Sequence, residues 1–139
     1  MNPRRNRSVR DRRADLGALY PLGIPPATYT SAGAMLVSTP LTLDAGGNGN
    51  AVWIFQIGSS LTTTASVLLA NGAQAKNVFW VPVQNASLGS GTTFNGTIMA
   101  GVDISCATGA VVYGRLLSGA TSAGATVALQ TNTISVPAQ

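Results

Sequence analysis

Residues 50–80 read NAVWIFQIGSSLTTTASVLLANGAQAKNVFW, and this stretch decides the fold. Two short runs, at 52–55 and 78–81, are apolar without alternation, which is typical of strands that are covered on both faces. Between them lies an uncharged, hydroxyl-rich segment, SSLTTT at 59–64. Gly58 and the Asn-Gly pair at 71–72 interrupt the stretch, so that no piece of it is long enough for a helix. The pattern predicts strand, corner, strand, corner and strand, after which the apolar run begins again.

A repeat becomes visible after residue 80. The segment TFNGTIMA at 93–100 aligns with VVYGRLLS at 111–118, and the same offset superimposes Gly91 on Gly109. Short strands with Gly corners and a period of about 20 residues are the signature of a β-solenoid. We therefore expect an all-β solenoid of about five coils over residues 36–136, with roughly 18–25 residues in each coil.

Three faces are expected, and the second one has the clearest alternation. The first face holds the apolar runs at 52–55, 78–81, 98–100 and 116–117, and the third holds 67–69, 92–95, 111–113 and 133–135. The second face points apolar or small side chains inward, with Cys106 among them. Its outward column is predicted to be Thr42, Thr62, Ser87, Ser105 and Ala128. This face is expected to be flat and uncharged, with rows of small or hydroxyl side chains about 4.8 Å apart.

The first face is expected to leave apolar side chains exposed to solvent on its outer side. Depending on the register, one alternate set of its side chains faces away from the core, and the set favoured here is Trp53, Phe55, Phe79 and Val81. Leaving several aromatic side chains uncovered forfeits several kcal/mol, at about 25 cal/mol per Å² of apolar surface. An open first coil would also offer a strand edge for association. We therefore expect the chain alone to bind a hydrophobic dye and to self-associate through this apolar face.

The charge of the chain is concentrated at its start. Residues 1–15, MNPRRNRSVRDRRAD, hold six of the eight basic residues and two of the four acidic ones, so the remainder is neutral. We expect a disordered basic tail at 1–15 and one solenoid domain at 16–139. The Arg cluster has two interpretations: contact with nucleic acid or an anionic membrane, or a solvated start, which is favoured because no aromatic residue is interleaved. The basic start precedes no apolar stretch, so no signal peptide is visible.

Chemistry that depends on titratable side chains has little support. The chain contains no His and no Glu, and Cys106 is its single Cys, which excludes a Ser-His-Asp triad, a Cys-His pair and an intramolecular disulfide. Asp44 opens a Gly/Asn-rich turn and Asp103 belongs to another coil, so both are interpreted as corner residues. The Gly-rich run at 46–49 lacks the Lys-Ser/Thr of a phosphate loop. The sequence thus predicts no enzyme, no cofactor and no metal site.

Several motifs carry a family resemblance. They are LTLDAGGNGNAVWIFQIGSSLTTTAS at 41–66, LANGAQAKNVFW at 69–80, TTFNGTIMA at 92–100 and GRLLSGA at 114–120. From about Asp15 to Val136 the chain resembles the bacterial and fungal ice-binding, or antifreeze, protein family. The resemblance implies a right-handed, three-sided, irregular β-solenoid that adsorbs to ice through a flat face. Members of that family are longer, and the chain is expected to lack most of their N-terminal portion, including a companion helix and the coil that closes one end.

The resemblance also decides between two interpretations of the outward column of the second face. Thr is favoured on any exposed strand, so the residues alone leave a purely structural explanation open. With the resemblance, the predicted function is ice binding that inhibits ice growth and recrystallisation, by a protein that acts outside the cell or at its surface. The predicted ice-contacting residues are Thr42, Thr62, Thr64, Ser87 and Ser105. The alternatives are a structural or adhesive cell-surface module without ice affinity and a nucleic-acid binder that uses the Arg tail.

Overall fold

Short parallel strands make up almost the whole chain. The computed structural model describes residues 6–9, 15–20 and 22–137. In chain order the strands are β1 (Asn6–Val9), β2 (Thr28–Ser31), β3 (Met35–Val37), β4 (Leu41–Asp44), β5 (Trp53–Ile57), β6 (Leu61–Thr63), β7 (Val67–Ala70), β8 (Val78–Pro82), β9 (Ala86–Leu88), β10 (Thr93–Asn95), β11 (Thr97–Met99), β12 (Ile104–Cys106), β13 (Val111–Tyr113), β14 (Leu116–Leu117), β15 (Val127–Leu129) and β16 (Thr133–Ser135). Among the described residues, the helices are α1 (Leu16–Leu19) and one turn of 3-10 helix at Ala75–Asn77.

The strands form three faces of a solenoid. Sheet A has the order β1-β2-β5-β8-β11-β14, and sheet B has the order β15-β12-β9-β6-β3. The third face consists of the pair β4-β7 and the trio β10-β13-β16, which meet where β7 contacts β10. The named strands pair in parallel, and the chain visits the three faces in turn, from the set β2-β3-β4 to the set β14-β15-β16. The path therefore makes somewhat more than four turns, and the predicted three-sided β-solenoid is confirmed.

The repeat seen in the sequence is confirmed by the strand register. Thr93 pairs with Val111 and Ile98 with Leu116, which is the offset that aligns the two sequence copies. The earlier coils are longer, since Met35 pairs with Leu61. The difference in coil length lies mainly at one corner. Residues 45–52 separate β4 from β5, whereas Gly96 alone separates β10 from β11.

Two glycines make the tight corner possible. Gly96 has a φ of +126°, and a Cβ there would lie 2.7 Å from the indole nitrogen of Trp80. Gly114 follows one coil later, and a Cβ there would lie 1.8 Å from the backbone oxygen of Gly96. Backbone therefore stacks directly on backbone at this corner, which only a residue without a side chain allows.

An aromatic ladder runs through the core along the solenoid axis. The sheet A register places Tyr29 beside Phe55 and Phe55 beside Trp80. The Tyr29 and Phe55 rings are stacked with their centroids 5.4 Å apart, and those of Phe55 and Trp80 with centroids 3.8 Å apart. Phe94 continues the ladder from the third face, 5.2 Å from Trp80. The ladder therefore links successive coils through the interior of the solenoid.

The expected orientation of sheet A is half wrong. Trp53 and Phe55 point inward and are completely buried, whereas Phe79 and Val81 lie on the outer side together with Ile54. The register explains this, because Ile54 pairs with Phe79 while Phe55 pairs with Trp80. The outer surface of sheet A is nevertheless apolar. Its half-buried members are Ile54, Phe79, Val81 and Met99, and Val52, Val83 and Leu117 are more exposed.

Residues near the start of the chain pair with the first coil, which the sequence predicted to have an open strand edge. Asn6–Val9 form a strand that pairs with β2. Isolated bridges join Asp15 to Leu36 of β3 and Ile24 to Leu43 of β4. The division into a basic tail and a solenoid domain stays a prediction. The rest of the tail, at 1–5 and 10–14, lies outside the described residues.

The C-terminal end of the solenoid is open by comparison. Val127 and Leu129 are in register with Ile104 and Cys106, which are buried, yet they are 37% and 51% exposed. Ile134 is likewise 36% exposed. Among the described residues, no further coil covers these inward-facing side chains.

Candidate functional site

The outer side of sheet B carries a column of one leucine, three hydroxyl side chains and one alanine. Successive pairings bring together Leu36, Thr62, Ser87, Ser105 and Ala128 in that order. Thr62, Ser87, Ser105 and Ala128 are exposed. The inward neighbours Leu61 and Ile104 are completely buried, so the alternation fixes which side of each strand meets solvent. We call the five residues from Leu36 to Ala128 the central column.

Three of the predicted site residues occupy the central column, and one does not belong to this face. Thr42 lies on β4, where it pairs with Leu68 of β7 on the third face. Its predicted place beside Thr62 is therefore wrong, and Leu36 takes that position. Leu41-Thr42-Leu43 and Met35-Leu36-Val37 both alternate, and alternation alone does not say on which face a strand lies.

Thr64 borders the central column. It is exposed and directly follows Thr63, the last residue of β6. Its backbone N–H donates to the Val37 carbonyl at 2.8 Å, so the pairing continues past the end of β6. In the next coil a Cβ on Gly89 would lie 3.1 Å from the Thr64 Cα, so the coils are closely stacked at this border.

Two hydroxyl groups of the central column are close enough to contact each other. Ser105 Oγ lies 3.4 Å from Ser87 Oγ. Strands in a sheet are about 4.8 Å apart, so the column repeats polar groups at short and regular intervals. The column contains no ionisable side chain.

A second column precedes the first and was not predicted as part of the site. Asn85, Asp103 and Thr126 lie two residues before Ser87, Ser105 and Ala128, each directly before a strand of sheet B. Asp103 N donates to Asn85 Oδ1 at 3.0 Å, and Thr126 N donates to Asp103 Oδ1 at 2.8 Å. The sequence signal for this second column is that each of its residues precedes a residue of the central column by two positions.

Two further titratable groups, Asp44 and Cys106, have a structural place. Asp44 accepts hydrogen bonds from the Asn71 side chain at 2.9 Å and from Gly46 N at 2.8 Å, which lowers the pKa of its carboxyl and confirms its place in a turn. Cys106 points into the core, where burial raises the pKa of its thiol. Among residues 6–9, 15–20 and 22–137, no group of three or more Cys, Asp, Glu or His is arranged to hold a metal ion. In the same part of the chain, no helix is long and apolar enough to cross a membrane.

Comparison with known proteins decides the family. The family described as ice-binding-like matches residues 5–135. The chain belongs to the ice-binding-like family. The resemblance seen in the sequence motifs is thereby confirmed, and so is the solenoid architecture, since the similar solved structures are those of ice-binding proteins.

Two curated relatives and one crystal structure illustrate this family membership. The ice-binding protein of Flavobacterium frigoris is 34% identical over 116 residues, which make up 82% of this chain and 40% of that protein. The ice-binding protein of a Colwellia species is 35% identical over 125 residues, or 88% of this chain and 47% of that protein. The crystal structure of an ice binding protein from an Antarctic biological consortium superimposes with a TM-score of 0.83 at 32% identity, covering 99% of this chain and 59% of that one. The chain thus spans less than half the length of these two curated relatives.

Proposed function

We propose that the chain binds ice through the outer side of sheet B. Membership of the ice-binding-like family supports ice as the ligand. The central column supports sheet B as the surface, because Thr62, Ser87 and Ser105 present hydroxyl groups in register on three successive coils. Thr64 extends this surface at its border. Thr42 is not included, since it lies on the third face.

The mechanism is adsorption by complementarity rather than catalysis. The strands under the central column are held by backbone hydrogen bonds, and the inward side chains of β3, β6, β9 and β12 are buried between the faces. The hydroxyl groups therefore occupy fixed positions before ice is met, so little conformational entropy is lost on contact. Water ordered over such an array can join the crystal lattice, and a crystal with protein adsorbed at its surface grows and recrystallises more slowly.

The partner proposed is accordingly a crystal surface. The mechanism uses no small-molecule substrate, cofactor, metal ion or nucleic acid. We place the protein outside the cell or at its surface, as the family resemblance implies.

Two measurements test the proposal. The purified chain is expected to be enriched in a slowly grown ice hemisphere and to produce thermal hysteresis with shaped crystals. A control protein of similar size and equally basic isoelectric point should be excluded from the same ice. A folded chain that is excluded like the control would contradict ice binding and would favour a structural or adhesive module.

A further inference from the structure

Side chains extend the pairing of sheet B beyond its strands. The N–H of Asp103 donates to Asn85 Oδ1 at 3.0 Å rather than to a backbone carbonyl. One coil later, Asp103 Oδ1 accepts hydrogen bonds from Thr126 N at 2.8 Å and from Thr126 Oγ1 at 3.3 Å. In each case a side chain of one coil holds the backbone of the next, just before the strand begins.

The bond to Thr126 matters most because of where it lies. Thr126 leads into β15, whose Val127 and Leu129 are exposed because the last coil is packed on one side only. Backbone pairing holds the strand, as Ile104 N donates to the Thr126 carbonyl at 2.9 Å. The carboxylate of Asp103 adds a charge-assisted hydrogen bond at the same residue, and such bonds are stronger than neutral ones.

This bond also acts on the candidate ice surface. Thr126 and Asp103 lie directly before β15 and β12, two residues ahead of the column members Ala128 and Ser105. Fixing Thr126 against Asp103 therefore holds the outermost strand level with Ser105. Without the bond, β15 would be held by its backbone pairing with β12 alone, and as the strand with the least packing it would deviate more easily from the line of the other four.

We propose that Asp103 is a positioning residue for ice binding, which keeps the last coil in line with the rest of the sheet B surface. This rests on the proposed function. Asp103 acts here through its Oδ1 acceptor, so an amide side chain of the same shape should replace it.

Three variants separate positioning from charge and from general stability. Asp103→Ala removes the acceptor, and Asp103→Asn keeps it without the charge. Asp44→Ala is the matched control, because Asp44 also accepts two hydrogen bonds but lies at a corner away from sheet B. The readouts are thermal hysteresis, thermal unfolding, and exchange of the Thr126 amide proton followed by NMR.

The expected results differ for each variant. In Asp103→Ala, the Thr126 amide should exchange about tenfold faster or more, as loss of a hydrogen bond to a charged group implies, and most of the hysteresis should be lost. Asp103→Asn should retain the protection of that amide and most of the hysteresis. Asp44→Ala should lose stability while keeping both the hysteresis and the Thr126 protection.

Other results would overturn the proposal. Wild-type hysteresis in Asp103→Ala would show that the bond is not needed for ice binding, and an equal loss in Asp103→Asn would assign the effect to the charge. If the wild-type chain has no hysteresis, the proposed function fails, and this proposal with it. Amide exchange at Thr126 would still show whether Asp103 holds the last coil, so the two failures are distinguishable.

Discussion

Ser105 Oγ lies 3.4 Å from Ser87 Oγ, and the two residues occupy the same position on successive coils. The contact joins the most regular part of the solenoid, where one coil follows the next with the shortest corner. On one side it is continued by Thr62, which pairs with Ser87, and on the other by Ala128. A disturbance at the middle of this column should therefore affect the whole surface.

Replacing Thr62 by Tyr tests the sheet B surface. A ring there would stand above the neighbouring side chains and separate the surface from ice, while the strand itself tolerates an exposed aromatic residue. We expect thermal hysteresis and ice shaping to be lost and the circular dichroism spectrum to be unchanged. Thr42→Tyr is the matched control on the third face and should keep its activity. Full activity in Thr62→Tyr, or its loss in Thr42→Tyr alone, would move the site to another face.

Thr63 offers a stabilising substitution. Its Oγ1 is buried in the core without a hydrogen-bond partner, between Val37 and Leu88 of the adjacent strands. Replacing Thr63 by Val removes the unsatisfied group at almost constant shape, which should raise the free energy of unfolding by about 1 kcal/mol. Thr92→Val is the control, because the Thr92 hydroxyl donates to the Gly89 carbonyl at 2.8 Å, and this variant should be less stable. Chemical denaturation measures both, and a destabilised Thr63→Val variant would indicate that the hydroxyl is satisfied in solution.

The tight corner predicts a strong effect at Gly114. A Cβ there would overlap the Gly96 backbone, which cannot move without displacing a neighbouring coil. Gly114→Ala should therefore lose about 1–3 kcal/mol of stability or more. Gly33→Ala is the control, since a Cβ at Gly33 meets nothing within 4 Å, and its effect should stay within about 0.5 kcal/mol. Equal melting temperatures for the two variants would show that the corner is more compliant than its geometry implies.

Self-association through the outer surface of sheet A remains a prediction. Val52 and Val83 are 41% and 52% exposed beside the half-buried Phe79. Exposed apolar side chains grouped on one sheet favour association, so the chain should bind a hydrophobic dye and elute with a concentration-dependent size. Changing both valines to Thr should weaken these effects, whereas Leu22→Thr, at an exposed leucine away from the sheet, should not. A dye-silent monomer at all concentrations would contradict the prediction.

Acid should destabilise the fold in a narrow range. Burial of the Asp15 carboxyl raises its pKa, but hydrogen bonds from Ser38 and Thr39 outweigh this and leave the pKa below its ordinary value. A pKa that is lower in the folded state stabilises the protein above the unfolded value, near 3.9, and this contribution is lost as the pH falls through the folded value. With no His or Glu in the chain, denaturation midpoints should be flat from about pH 7 to 5 and should fall below about pH 4. Asp15→Asn should reduce the slope, and an unchanged slope would assign the acid effect elsewhere.

The features of the fold that follow from periodicity in the sequence were predicted, and those that do not follow from it were missed. The offset between the later coils was readable because 93–99 and 111–117 repeat the same pattern, with Gly96 and Gly114 at equivalent positions. The inward place of Ile104 and Cys106 followed from alternation and is confirmed by their burial. Thr42 was misplaced because alternation reports inside and outside, while the face depends on the lengths of corners that have no repeat.

The prediction of which side chains of sheet A face outward was half wrong for another physical reason. A strand that is apolar on both sides has no alternation from which to choose the inward set. Gln56 was the available signal, since it is polar and exposed and shares its side of β5 with Ile54, opposite Trp53 and Phe55. The bond from Asp103 to Thr126 could not be inferred from the sequence, because it joins residues of two different coils through side-chain geometry alone.

The aromatic ladder has a consequence for how unfolding would be observed. Trp53 and Trp80 are both fully buried in the middle coils, and Trp80 stacks on Phe55 at 3.8 Å. Residues 115–139, which contain the last coil, have no aromatic side chain. In a repeat fold the terminal unit can open while its neighbours stay folded. Intrinsic fluorescence would therefore report the melting of the middle of the solenoid and would be blind to fraying at the C-terminal end.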